Sequence, residues 1–248
     1  MRTILEVMQF EIRYQLRSPF FLGALLMYAL IHFLAITGLL GDIAISNQVA
    51  INSAYSILGI ELLLFIFGML PILAFVTNAI TRDFELATAS LMYVTPIPPG
   101  NFALGRFFGA LSLSLLIGLG GLLGSMIGTF MPWLDQARIA PFSMLPWAYF
   151  FFFVILPGTI VLCAIFFSIA ALTRSFALTY GAAMVIFVAD LFLNIYAMVE
   201  PGTWSALADP SARITVLTVT RYWTIAELNT NLPMGLLLLN RLLWLTVA

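Results

Sequence analysis

Long apolar runs alternate with short polar interruptions along this chain, and five runs reach the roughly 20 residues a helix needs to cross the hydrocarbon layer. They cover residues 20–40, 56–80, 107–130, 147–172 and 176–199. A sixth run, 234–248, is shorter and reads as a span cut short, as expected for the front part of a longer protein. Ahead of the first run, Ile4, Leu5, Met8, Ile12 and Leu16 recur at helical spacing, with Glu6, Gln9, Arg13 and Arg17 on the opposite face. This pattern predicts an amphipathic helix over 1–17 lying in the headgroup layer. The competing reading is a cytosolic extension of the first span, but Ser18-Pro19 predicts a break between the two. Charged residues this early also argue against a cleaved signal peptide. The expected fold is an all-α integral membrane protein of one domain, an interfacial helix followed by about six transmembrane helices with the last truncated.

Composition supports that class. With 62% hydrophobic and 8% charged residues, the chain carries more apolar surface than one water-soluble core can hide. A formal net charge of −1 gives no reason to expect a nucleic-acid partner. All ten basic residues are arginine, and a Walker A loop requires lysine to reach nucleotide phosphates, so the chain hydrolyses no ATP through such a loop. One histidine, His32, rules out HExxH and other multi-histidine metal motifs. One cysteine, Cys163, rules out an intramolecular disulfide and sits in an apolar run, where packing is its expected role. No nucleophile or acid/base constellation is recognisable, so neither enzymatic activity nor a metal or cofactor is expected in this chain.

Position of charge sets the orientation. Arg2, Arg13, Arg17, Arg82, Arg106 and Arg174 fall on one side of the runs, and Arg138, Arg213 and Arg221 on the other. The excess predicts a cytoplasmic N-terminus, a cytoplasmic loop over 81–106, and outward-facing loops over 131–146 and 200–233. Within the last of these, 209–233 opens on a capping Asp-Pro and mixes apolar positions with Arg221, Tyr222, Trp223 and Glu227. It predicts a re-entrant or interfacial helix pair, with a folded extramembrane loop as the alternative.

Polar and small residues inside the runs are the remaining candidates. Asp190 and Arg241 lie at matched depth and predict an ion pair, either a structural staple or a substrate-contacting or gating element. Glu61 is expected near the outer surface, within reach of water, and His32 is expected to hydrogen-bond a neighbouring helix. Gly120, Gly124 and Gly128 repeat every four residues, and Gly105 with Gly109 begin the same register, which predicts close helix packing within the bundle or between subunits. Pro71 and Pro157-Gly158 are expected to kink their helices.

The loop between the second and third runs carries Arg82-Asp83-Phe84-Glu85, then Thr88, Leu91, Thr95-Pro96-Ile97, and Gly105-Arg106. Asp83 and Glu85 read as the acidic start of a short helix that Pro96 ends, and twenty-odd residues exceed what a turn requires. In order and spacing these residues resemble type-2 ATP-binding-cassette exporter permeases. The resemblance covers essentially the whole chain. It implies an elbow helix before six spans, a coupling helix at 82–100 that docks a separate ATPase subunit, ATP use by that partner, and a bacterial cytoplasmic membrane. A second permease half, either a homodimer or a paralogue, is implied as well. The stretches at 91–97, 220–230 and 236–244 are most similar to the N-terminal membrane segment of bacterial permease/zinc-aminopeptidase fusions, although no peptidase activity is expected here. Ala87 stands where such exporters often have glycine, and Pro98-Pro99 replaces a usually polar or basic pair. The alternatives are a membrane anchor or scaffold for a downstream domain, and a proton-coupled transporter using Asp190 and His32, for which no inverted repeat is visible.

Overall fold

The computed structural model describes residues 2–40, 48–88, 98–200 and 202–248. Its helices are α1 (Arg2–Leu16), α2 (Pro19–Ile36), α3 (Ala54–Glu85), α4 (Pro99–Gly128), α5 (Leu145–Thr173) and α6 (Phe176–Val199), then short α7 (Thr203–Ala208), α8 (Arg213–Thr220), α9 (Ile225–Thr230) and finally α10 (Gly235–Val247). No strand occurs among the described residues. Helices α2 to α6 are long and apolar enough to cross a membrane, and α10 is a shorter apolar helix. The chain is an all-α, multi-pass membrane protein.

The break at Ser18-Pro19 separates α1 from α2. Ser18 accepts a hydrogen bond from the Phe20 amide at 3.2 Å and Pro19 takes the first helical position, where its missing N–H costs nothing. Helix α1 therefore does not continue α2 but lies along α4. At the centre of the bundle is α3, packed against α5 and α4, while α2 runs along α4. Burial follows this order: 61% of the membrane window of α3 is buried, against 11% in α6, which leaves α6 as the outlying helix.

Helices α3 and α4 extend well past their apolar runs at the end of the bundle that holds α1. Nothing between Ile80 and Glu85 breaks a helix, so α3 absorbs Arg82, Asp83 and Glu85 into its final turns. Pro99 opens α4, which explains the proline pair physically. Residues 81–85 and 99–106 of the loop expected over 81–106 are therefore helical. Asp83 and Glu85 close a helix here; they do not start one. Thr95 and Pro96 lie outside the described residues.

The two intrahelical prolines behave differently. Pro71 sits in an uninterrupted α3. Pro157 follows a π-helical turn, Phe151–Ile155, in which the Leu156 amide reaches back to the Phe151 carbonyl; the widened turn accommodates the ring and the missing donor. At the opposite end of the bundle, the segment 209–233, expected as a helix pair, holds two short helices, α8 and α9, with α7 just before it. Ile214, Thr215, Val216 and Thr220 of α8 turn inward.

Candidate functional site

Polar side chains converge at the α1 end of the bundle. Glu11 and Gln15 occupy the middle of the packed face of α1, with Ile4, Val7 and Met8 beside them. Glu11 is fully buried and meets Arg82 of α3 through both carboxylate oxygens, at 3.0 and 3.4 Å. Gln15 donates to Oε1 of that carboxylate at 2.6 Å and to the Phe75 carbonyl at 3.4 Å. The Arg82 guanidinium also lies 4.1 Å above the Tyr14 ring. One turn away, Arg106 of α4 donates to Asp83 at 2.6 Å and to the Ala79 carbonyl, with its guanidinium 4.5 Å over Phe102. Arg174, at the corner between α5 and α6, stands 5.2 Å over Phe84. Three arginines thus fasten α1, α3, α4 and the α5–α6 corner to one another.

Within the coupling helix that the resemblance implies at 82–100, two of the first charged residues are not free to meet a partner. Arg82 is 7% exposed and spent on Glu11, and Asp83 is paired with Arg106; Glu85 alone of the three stays exposed. At the end of α3, the Thr88 amide donates to the Asp83 carbonyl and the Ala87 amide to the Phe84 carbonyl, with Ala87 at φ 55°. These bonds form a Schellman cap whose left-handed position is the one glycine suits best. Ala87 therefore occupies a position where the resemblance leads one to expect glycine, and adopts a glycine-like backbone.

A second polar group lies within the bundle. His32 Nδ1 of α2 and Glu61 Oε2 of α3 are 2.8 Å apart, and both side chains are almost wholly buried. Their contact is off the direction a hydrogen bond requires, and none of the four side-chain polar atoms has a hydrogen-bond partner among the described residues. The Tyr28 ring packs against His32 at a tilt of 59°, centroids 4.3 Å apart, and its hydroxyl donates to the Leu64 carbonyl. Beside the pair is a void of about 10 Å³, lined by Ser114, Thr159 and apolar neighbours. Glu61 is thus turned inward, contrary to the expectation that it reaches water.

Asp190 and Arg241 do not pair. Arg241 bonds Asn240 Oδ1 and the Pro210 carbonyl, both at 3.0 Å, while Asn240 donates to the Ala206 and Asp209 carbonyls. Asp190 accepts from Asn194 at 3.1 Å, and Asn194 accepts from Arg213. Depth along two helices fixes height but not direction around the bundle: α6 packs on α5 and α3, whereas α10 packs on α5 and α7. The acid nearest Arg241 in effect is Asp209, fully buried, which caps α8 by accepting from the Ile214 and Ser211 amides. Burial pushes the Asp209 carboxyl up, against hydrogen bonds from Ser211 and Ile214 and the Arg241 charge. In α9, the Thr224 amide and hydroxyl hold exposed Glu227 below the usual carboxylate range in a capping box.

Gly120, Gly124 and Gly128 face α2 along its length, against Leu25, Ala29 and Ile36. Gly105 and Gly109 continue the stripe against Val7 and Glu11 of α1. One row of small residues thus seats both α2 and α1 on α4.

Sequence reasoning passed over Glu11 and Gln15, gave Arg106 no contact, and read Asp209 as a helix cap, which it is, without its burial near Arg241. A signal for the first two was present: a glutamate and a glutamine at i, i+4 among the apolar positions of α1 demand a buried partner. Comparison with protein-family models and with curated proteins finds no match for the chain.

Proposed function

We propose that this chain is the membrane-spanning half of an ATP-driven exporter in the bacterial cytoplasmic membrane, with its N-terminus in the cytoplasm. A separate ATPase of the ATP-binding-cassette type docks on the loop between α3 and α4, and transport requires two such halves. The observation that supports this reading is the fastening of α1, α3, α4 and the α5–α6 corner by Arg82, Arg106 and Arg174. A force applied to residues 86–98 reaches four helices at once, because the buried pairs resist separation more than exposed ones do. Glu85 and Leu86, both exposed at the tip of α3, are the part of this end left free to meet a partner. Reconstitution tests the reading. An ATP-binding-cassette ATPase that co-purifies with this chain should hydrolyse ATP several-fold faster in proteoliposomes holding both proteins than alone; an unchanged rate would favour a scaffold.

The His32–Glu61 pair favours a second reading, a proton-coupled transporter with Glu61 in the role expected of Asp190. Substrate movement driven by a proton gradient without nucleotide, and abolished by Glu61→Gln, would support it over the exporter.

A further inference from the structure

A cleft of about 1070 Å³ opens between α1, α3 and the start of α6, at the upper end of the roughly 300–1,000 Å³ typical of sites for whole small molecules. Its apolar lining is aromatic: Phe10, Tyr14, Phe20, Phe75, Phe176 and Tyr180. Phe176 and Tyr180 stack with centroids 4.1 Å apart, and Phe20 meets Phe75 edge-on at 5.6 Å. Its polar lining includes Arg13 and Arg17, four residues apart on one side of α1 and its C-terminal turn, both exposed.

The charges around this cleft do not cancel. Glu6 lines it but is held by Arg2 at 2.9 Å, and Glu11, the next acid on α1, is buried against Arg82. Gln15 is committed to Glu11 and the Phe75 carbonyl, and Asn78 faces Arg82. Arg13 and Arg17 have no ion pair among the described residues. Two free cations therefore stand over an aromatic floor. That floor reaches the outside of the bundle at half-exposed Phe20 and Phe176, which lie in the first turns of two spans.

We propose that this cleft binds one acidic phospholipid, its phosphate between Arg13 and Arg17 and one acyl chain on the Phe20–Phe75–Phe176–Tyr180 floor. Charge complementarity selects an anionic headgroup, since basic residues at this level of a bilayer attract acidic lipids. The floor selects a lipid over a soluble anion, which would use the arginines and leave the aromatic surface uncovered. An amphipathic helix in the headgroup layer puts both parts at the depth where headgroup and chain meet. The site stands independently of the transport reading.

The test measures lipid retained on the immobilised full chain after detergent washing, using phosphatidylglycerol and phosphatidylcholine with identical acyl chains. Preferential retention of phosphatidylglycerol, weakened roughly thirty-fold by Arg13→Gln with Arg17→Gln, is expected at about five-fold per arginine. Arg13→Lys with Arg17→Lys should stay within about three-fold of the parent, and Arg221→Gln, at the other end of the bundle, should change nothing. Phe176→Ala with Tyr180→Ala should lower retention of both lipids. Equal retention of the two lipids, an unaltered preference in the glutamine pair, or displacement by millimolar inorganic phosphate would overturn the proposal. If the glutamine pair does not fold, the parent protein decides the matter: about 0.5 M salt should screen away the phosphatidylglycerol preference, and a preference that survives salt counts against the site.

Discussion

At the residue scale, the most informative side chain is Glu11. A fully buried carboxylate on α1 is tolerable only because Arg82 and Gln15 saturate it. Removing one partner of such a pair costs about 3–5 kcal/mol, since the other charge is left buried and unpaired. Glu11→Ala and Arg82→Ala should each destabilise by that order, whereas the double variant should lose clearly less than the sum; additive losses in thermal unfolding would show that the two groups are not coupled. Ala87 makes the complementary case. At φ 55° a side chain costs roughly 1–2 kcal/mol relative to glycine, partly offset by glycine's greater unfolded entropy. Ala87→Gly should therefore stabilise by about 0.5–1 kcal/mol and Ala87→Val should destabilise; the reverse order in the same unfolding assay would contradict the left-handed cap.

Among the elements, hydropathy proved informative where lipid decides and silent where protein does. The fifth run was expected over 176–199, and α6 spans Phe176–Val199, because its ends coincide with polar boundaries at Ser175 and Glu200. The last turns of α3 and the first turns of α4 lie outside their apolar runs, since they are held by Arg82 and Arg106 instead of lipid. A ruler of apolar length cannot see those turns, and 81–85 and 99–106 accordingly read as loop although they are helical. The Asp190–Arg241 expectation failed for a related reason: a linear sequence gives depth but not azimuth. The α4 glycine stripe, in contrast, was legible from spacing alone, though not which helix it would receive. A Cβ on Gly124 would fall inside contact distance of the Ala29 backbone carbonyl, which cannot swing aside. Gly124→Ala should cost about 1–3 kcal/mol by overpacking despite better helix propensity. Gly181 of α6 has open space around it, so Gly181→Ala should be neutral or stabilising by up to about 1 kcal/mol. Equal effects of the two substitutions in an unfolding assay would refute the close approach of α2 and α4.

For the whole molecule, polarity is distributed in three tiers. The α1 end is fastened by arginine pairs, the interior holds the unsatisfied His32–Glu61 contact, and the opposite end is tied through Asn240, Arg241 and Asp209. Stiff ends around a polar interior suit a bundle that moves as connected helices when one end is pushed. The exporter reading rests on where that push is delivered, and it leaves Glu85 and Thr88 as the residues nearest the docking surface. Cys163 is fully buried, so a cysteine introduced at either position is in effect the reactive thiol of the chain. The direct measurement is site-specific crosslinking in membranes that contain this chain and an ATP-binding-cassette ATPase that co-purifies with it, as the exporter reading requires. Glu85→Cys and Thr88→Cys should each crosslink to the ATPase, with a yield that changes between nucleotide-free and ATP-bound states, while Thr230→Cys at the opposite end should not. Crosslinking from Thr230→Cys, or none from either loop position in membranes where both proteins are present, would contradict docking at the α3–α4 loop.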